Sequence, residues 1–367
     1  MRGQNGRLVA VVASVAVAAV VIGGAIAYRR GPQQENQVPA PLAATLPPST
    51  PVKVDLKTLP TGRAPQVVYV SGRVIKGGLG QDVTVPGSQE ILHAVRYDGD
   101  AMVILEVGIG GSELVRVNKD KGILPGATAA VASLVTSVDE DAIAYGTART
   151  NADHTRRQGN TVYWRNAFTD EKLERPNDWA SKVLAVVGDT VYFAADTDRD
   201  GETSTLNAWH ALTGKVDLLK SFRSPAGVDF QGRNGVDQLA GAAQTFCSAI
   251  RQVADGKQLW RTCDYSLNGF TPNGLTVIAT PDFRGEGGDP STTALDARTA
   301  DVRRQWTGAH FFGATAEDDD HLLMVADTGE NTASAIIRCS IGTGVCELAT
   351  APARTPRRDS LRLMGAG

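Results

Sequence analysis

A strand, a tight turn and a second strand return again and again along this 367-residue chain. The pattern is clearest in LNAWHALTGKVDLL, SAIRQVADGKQLW, TALDARTADVRRQW and AIIRCSIGTGVCEL, and weaker in VYWRNAFTDEKL, LVRVNKDKGIL and RVIKGGLGQDVTV. Anchoring each copy on the residue before the turn glycine, or its equivalent, gives Leu79, Lys119, Thr169, Thr213, Asp255, Thr299 and Thr343. The successive gaps are 40, 50, 44, 42, 44 and 44 residues. β-rich runs such as TVYFAAD, AMVILEV, LTVIATP and HLLMVAD fill the intervals, and no amphipathic helix stands out from about residue 65 onward. A sheet of this size cannot bury both of its faces alone, whereas a series of stacked neighbours can.

A period near 44 with two to four strands per unit marks the blades of a β-propeller. In the clearest unit the strands are expected at Val183–Val187, Thr190–Ala195, Leu206–Leu212 and Lys215–Leu219. The first unit offers strands near VVYV, RVIK and DVTV and nothing before them. One strand, in SLRLMG (Ser360–Gly365), is left over at the other end. If it completes the first unit, seven blades of four strands close the ring and remove open sheet edges; six or eight blades also accommodate the spacing. The expected fold class is all-β: a seven-bladed β-propeller over residues 61–367, closed by a C-terminal strand and preceded by one transmembrane helix.

That helix is read from LVAVVASVAVAAVVIGGAIAY, uncharged from Leu8 to Tyr28 between Arg7 and Arg29. A helix of this length spans about 30 Å, a bilayer core. Residues 1–7 would form a short cytoplasmic N-terminus, 8–28 a signal anchor and 29–60 a stiff, proline-rich extracytoplasmic linker. The alternative is a cleaved signal peptide ending near Ala25-Ile26-Ala27. The anchor reading is preferred, because the run exceeds a usual apolar h-region and Arg29 and Arg30 follow at once. The expected localisation is the cell membrane, single-pass, with the C-terminal domain outside; cleavage would make the protein secreted.

Cys247 and Cys263 lie eight residues to either side of Asp255, and Cys339 and Cys346 lie four before and three after Thr343. A hairpin sets such positions face to face, within disulfide reach. Cys247–Cys263 and Cys339–Cys346 are therefore the expected pairs, with a different turn or a bulge in the last unit to absorb its asymmetry. They imply an oxidising compartment.

Chemistry is harder to find. His93, His154, His210, His310 and His321 are scattered without metal-ligand spacing, and there is no nucleophile elbow, phosphate loop or dinucleotide motif. AEDDDH, ending at His321, reads as a solvated turn. Trp164, Trp179, Trp209, Trp260 and Trp306 read as packing between blades. DTDRDGETST places Asp196, Asp198 and Asp200 at alternate positions before Gly201, a spacing whose carboxylates can converge on calcium. A polar turn is sufficient to account for them, which leaves calcium optional. A net charge of −3 offers no footprint for nucleic acid.

Ala294, Asp296 and Thr299 match the first half of the A-x-D-x-x-T-G-x-x-x-W repeat, and Asp255 to Trp260 match its second half loosely. Over residues 60–365 the chain thus resembles the WD40-like, quinoprotein-like and TolB-like propellers. More narrowly it resembles the membrane-anchored, extracytoplasmic actinobacterial type of unassigned function. The resemblance implies a propeller and is silent on activity. The leading expectation is a monomeric binding or scaffold module for an envelope protein, peptide or glycan. The alternative is a propeller enzyme, a quinoprotein-like oxidoreductase or a glycan-processing one, with its site at the central channel. Polar side chains converging at the channel mouth would favour the enzyme; an apolar mouth would favour the binding module.

Overall fold

The computed structural model describes residues 50–240, 246–281, 288–329, 332–354 and 361–364. The expected cytoplasmic stub, the transmembrane helix 8–28 and most of the linker lie outside these residues. No helix long and apolar enough to cross a membrane occurs among those described.

The described chain is all strand and turn. It opens with β1 (Val52–Lys53), then β2 (Tyr69–Ser71), β3 (Val74–Lys76) and β4 (Val83–Thr84). Next come β5 (Ile91–Tyr97), β6 (Asp100–Val107), β7 (Gly111–Asn118), β8 (Gly122–Ile123) and β9 (Thr128–Ala129). They are followed by β10 (Val131–Thr136), β11 (Ala142–Thr147), β12 (Asn160–Asn166) and β13 (Asp170–Arg175). β14 (Ala180–Val187), β15 (Thr190–Asp196), β16 (Ser204–His210) and β17 (Lys215–Leu219) come next, then β18 (Pro225–Val228), β19 (Asn234–Ala240), β20 (Phe246–Gln252) and β21 (Gln258–Thr262). The last group is β22 (Tyr265–Phe270), β23 (Thr276–Pro281), β24 (Asp289–Asp296), β25 (Val302–Ala316), β26 (His321–Asp327), β27 (Ala335–Ser340), β28 (Cys346–Leu348) and β29 (Leu361–Leu363).

These strands form antiparallel meanders ordered β10–β11–β12–β13, β14–β15–β16–β17 and β18–β19–β20–β21, and β5–β6–β7–β8 with β9 added on β7. An eight-stranded sheet runs β22 to β28 through one continuous strand, β25, with β1 attached to it. The first part of β25 pairs with β24 and its last part with β26. The leftover C-terminal strand does complete the first unit: β29 lies antiparallel to β2, with Tyr69 opposite Leu363 and Ser71 opposite Leu361, giving β29–β2–β3–β4. All seven anchor residues fall in turns between a third and a fourth strand.

Alternation along each strand explains how the sheets stack. Successive side chains point to opposite faces, so Val277 and Ala279 join one buried cluster while Ile278 joins the next. Leu322 and Met324 likewise face one neighbour, and Leu323 and Val325 the other. Because both faces are covered, these strands read as unbroken apolar runs. The clusters link consecutive sheets around the fold; the one holding Tyr69, Leu323, Ile336 and Leu361 joins the last unit to the first.

Two expectations change. The segment read as linker to residue 60 contributes to the fold from Val52 onward. Val52 and Lys53 run parallel to Trp306 and Thr307, and Val54 and Leu56 are buried in the core beside Trp306. Val52, Val54 and Leu56 carry the period-2 signal of a strand, hidden by the prolines on either side. Gly308 lets β1 come close: its φ is +90°, and an added Cβ would sit 2.9 Å from the Val54 carbonyl oxygen. The second change concerns the cysteine hairpins. The irregularity lies between Ile250 and Arg251 in the β20–β21 pair, whereas β27 and β28 pair without a slip. In the clearest unit, the second and fourth strands lie where expected, and the third begins and ends two residues earlier.

Candidate functional site

One face of the fold carries the turns joining first to second and third to fourth strands. The other carries the second-to-third turns and the connections between units. The first strands β5, β10, β14, β18, β22, the end of β25 and β29 touch in succession. Arg362 of β29 reaches the Ile91 carbonyl of β5. On the first face the ends of these strands surround a cavity of about 440 Å³. Val95, Thr136, Phe270, Thr315 and Met364 line it from the strand ends, with Val68, Leu79, Val138 and Ile278 around them.

Glu140 and Glu317 are the titratable groups in that lining. Glu317 is engaged from within. Both of its oxygens accept from the Arg338 guanidinium, one also from the Gln66 N–H at 2.7 Å, and Arg63 lies 3.1 Å away. Burial opposes its charge, but Arg338, the Gln66 N–H and Arg63 outweigh burial and hold the carboxyl below its ordinary range. Arg338 also donates to the Arg63 and Ala64 carbonyls and to Glu347. The acidic turn read as solvated therefore conceals a buried ion pair that latches residues 63–66 to β27. Asp318, in the same turn, accepts from the His321 N–H at 2.8 Å, with the imidazole Nδ1 2.9 Å away.

Glu140 sits in the β10–β11 turn at φ +56°. Its Oε2 accepts from the Leu79 N–H at 2.7 Å. Burial raises its pKa despite that bond and the nearby Arg96 charge. Arg96 is fully buried and donates to the Gly77 and Ile75 carbonyls. The turn is set by a signal that anchoring on the third-to-fourth turns passed over. Ser137 Oγ accepts from the N–H five residues on, at Ala142; Thr271 does the same for Thr276, and Asp229 for Asn234. A Ser, Thr or Asp with this i to i+5 bond fixes the first-to-second turns that rim the mouth.

A second cavity, of about 670 Å³, lies toward the opposite face, among the starts of β5, β10 and β14. His93, Glu106, Arg156 and Lys182 line it. Burial pushes the His93 imidazole down to about 4, so it is neutral at physiological pH. First strands β5, β10, β14, β18, β22 and β25 each slip register once against the second strand. Leu92 and Ala132, at two of these bulges, line this cavity, and Asn268, at another, lines the mouth. No residue pattern advertises these bulges.

Arg156 ties this region to the aspartate loop between β15 and β16. Asp196 accepts from Arg156 at 2.7 Å and from Ser204 Oγ at 2.6 Å. Asp198 folds back onto Thr203, accepting from its N–H at 2.7 Å and from its hydroxyl, and from the Glu202 N–H at 3.0 Å. The Thr203 hydroxyl first, with these N–H groups, pulls its pKa down to about 2. Asp200 is exposed at the tip. Asp196 and Asp198 are thus directed to separate partners, and among the described residues no three acidic, His or Cys side chains are grouped to hold a metal ion. The loop is closed by its own hydrogen bonds, and its three aspartates are not grouped around one point.

Both expected cysteine pairs are bonded, Cys247–Cys263 and Cys339–Cys346. Trp260 and Trp306 donate to the Ala297 and Gly344 carbonyls of the next unit, as packing residues would. Across β15, β16 and β17, Thr190 Oγ1 lies 3.0 Å from His210 Nδ1, and His210 Nε2 3.4 Å from Asp217. This row resembles a nucleophile–base–acid order, but it is part-exposed on the later strands of its sheet and lines neither cavity.

Comparison with protein-family models finds no match, and comparison with curated proteins finds none either. Among solved structures the chain is similar to prolyl oligopeptidase B from Galerina marginata bound to a 35mer hydrolysis and macrocyclization substrate. The TM-score is 0.52 at 11% identity, covering 77% of this chain and 49% of that one. This chain therefore spans about half the length of that enzyme. It is also similar to the uncharacterized protein lmo1340 from Listeria monocytogenes EGD-e (TM-score 0.48, 6% identity, 72% and 84% covered). TolB from Acinetobacter baumannii follows (TM-score 0.40, 14% identity, 58% and 54% covered). The first likeness shows the fold alone, that of a β-propeller; nothing rests on the other two.

Proposed function

We propose that this chain is a seven-bladed propeller, tethered by residues 8–28 to the outer face of a membrane, that binds a partner at the mouth between its first strands. Seven third-to-fourth turns and seven first strands in mutual contact support the blade count. The uncharged run and the two disulfides support the tether and an oxidising location.

The observation that carries binding over catalysis is the chemistry of the mouth. Its wall is mainly apolar, its Glu317 is neutralised by Arg338, and among the described residues no His, Cys, Lys or Arg lines it. Glu140 is left as a lone carboxylate, with no His, Cys, Lys or second unpaired carboxylate beside it in the lining among the described residues, whereas a catalytic centre needs several such groups in mutual reach; an apolar concavity with few polar groups is what a binding site needs. Prolyl oligopeptidase B is bound to a 35mer substrate, and a peptide is also a reasonable occupant here. The test is affinity capture with the full-length protein from native membranes, beside a Thr315→Trp variant that fills the mouth. A partner retained by the wild type and lost by the variant is expected. Retention of nothing, or equal retention by both, overturns the reading. A reporter fused after Gly367 should be active outside the membrane; activity only inside refutes the topology.

A further inference from the structure

The mouth has a sign as well as a shape. Among the described residues its lining offers two carboxylates and no cation. Glu317 is spent on Arg338, but Glu140 uses only Oε2, on the Leu79 N–H, and its other oxygen accepts no hydrogen bond among the described residues. Arg96 lies behind Glu140 with its charge intact: its Nε and one terminal nitrogen donate to the neutral Gly77 and Ile75 carbonyls, its other terminal nitrogen is buried without a partner, and it makes no hydrogen bond to Glu140 among the described residues. The flanking Asp139 and Asp141 are exposed and add to the negative potential. Beside Glu140 the wall is apolar, and the rim carries Leu79 and Val138, 61% and 53% exposed. A small molecule inside the cavity would leave both uncovered, whereas a polypeptide crossing the mouth would cover them. A volume of about 440 Å³ also suits a few side chains.

We propose that the mouth binds an extended basic peptide segment. One apolar side chain fills the space among Val95, Phe270, Ile278 and Met364, and an adjacent Lys or Arg meets the open oxygen of Glu140. This rests on reading the mouth as a binding surface and adds the chemistry of the partner. Glu140 is suited to the task because the Ser137 bonds and the Leu79 N–H already fix its turn, so little order is lost when the cation arrives. Partial exclusion of water strengthens the pairing, and the surrounding acidic turns discourage anionic competitors.

The probe is a short fluorescent peptide with a Lys-Phe-Lys centre, titrated against the full-length protein in neutral detergent and followed by anisotropy. Its Glu-Phe-Glu counterpart serves as the comparison. The cationic peptide should bind at least about tenfold more tightly and weaken with added salt. Glu140→Gln, which keeps an acceptor for Leu79, should reduce binding about tenfold. Val138→Lys changes an exposed side chain with no folding role and should weaken the cationic peptide in the same direction. Phe168→Ser, 94% exposed and outside the cavity, should leave binding unchanged. Equal binding of the two peptides, or indifference to Val138→Lys, overturns the proposal. If Thr315→Trp abolishes native capture while neither peptide binds, the basic-peptide proposal fails and the binding reading stands. If native capture is also unaffected, both fail.

Discussion

Replacing Arg338 by Met tests the latch that joins the start of the propeller to its last unit. The Arg338 and Glu317 side chains are 3% and 2% exposed. Met retains much of the stem's volume but strips Glu317 of both guanidinium bonds, leaving a buried carboxylate with the Gln66 N–H and the half-exposed Arg63. Breaking a buried pair on one side costs about 3–5 kcal/mol. Losing Glu347, 35% exposed, adds little, about 0–1 kcal/mol. That is a large share of a folding free energy of about 5–15 kcal/mol. Urea unfolding at neutral pH of the chain from Thr50 onward, followed by tryptophan fluorescence, would read the loss. Glu317→Leu combined with Arg338→Met removes the stranded charge and should recover about 2–3 kcal/mol relative to the sum of the single losses. The pH dependence has a definite sign. The Glu317 carboxyl is held below its ordinary value of 4.5, so its contribution is complete above that value and is lost as pH falls through the lower folded value. The wild type should therefore lose stability more steeply in acid than the double variant. A cost below about 1 kcal/mol for Arg338→Met, or a double variant equal to the sum, would refute the reasoning.

Starting the chain at Thr61 instead of Thr50 removes β1 and the burial of Val54 and Leu56. At about 1.5–3 kcal/mol per buried side chain, a loss of about 3–6 kcal/mol in urea unfolding is expected, and identical midpoints would show that β1 is dispensable. Native protein should present no alkylatable thiol by intact-mass analysis. Opening Cys247–Cys263, with a separation of 16, should cost slightly more than opening Cys339–Cys346, with a separation of 7. Loop entropy predicts about 3 against about 2.4 kcal/mol, and the reverse order would count against that account. Calorimetry with calcium should give no heat, for Asp196 and Asp198 are already bonded elsewhere; saturable heat abolished by Asp198→Ala would restore the metal reading.

What could be read in advance was what repeats. Gly and Thr turns recur because hairpins need them, so all seven anchors fall in third-to-fourth turns, and the cysteine symmetry about two of them gave the correct pairs. What does not repeat stayed hidden. β1 is two residues long and flanked by prolines, so its short alternation looked like linker. AEDDDH looked like a solvated turn because the Arg338 that neutralises Glu317 comes from the next hairpin strand but one. Glu140 carried no motif; only the bond from Ala142 to Ser137, visible in three dimensions, marks its turn as one of a series. The bulges that aim Leu92, Ala132 and Asn268 inward leave no trace in residue type, since they are set by how one strand slips against the next.

The pairing of Leu363 with Tyr69 has a consequence for how the protein is made. The strand that finishes the first sheet, β29, is synthesised after β2 to β28, so β2 waits with an unsatisfied edge until it emerges. During that interval, a tail from another nascent copy fits the vacancy as well as its own. Crowded expression should therefore favour strand-exchanged dimers. A product of premature termination just short of Leu361 would be cohesive, ready to recruit intact chains, and not merely less stable.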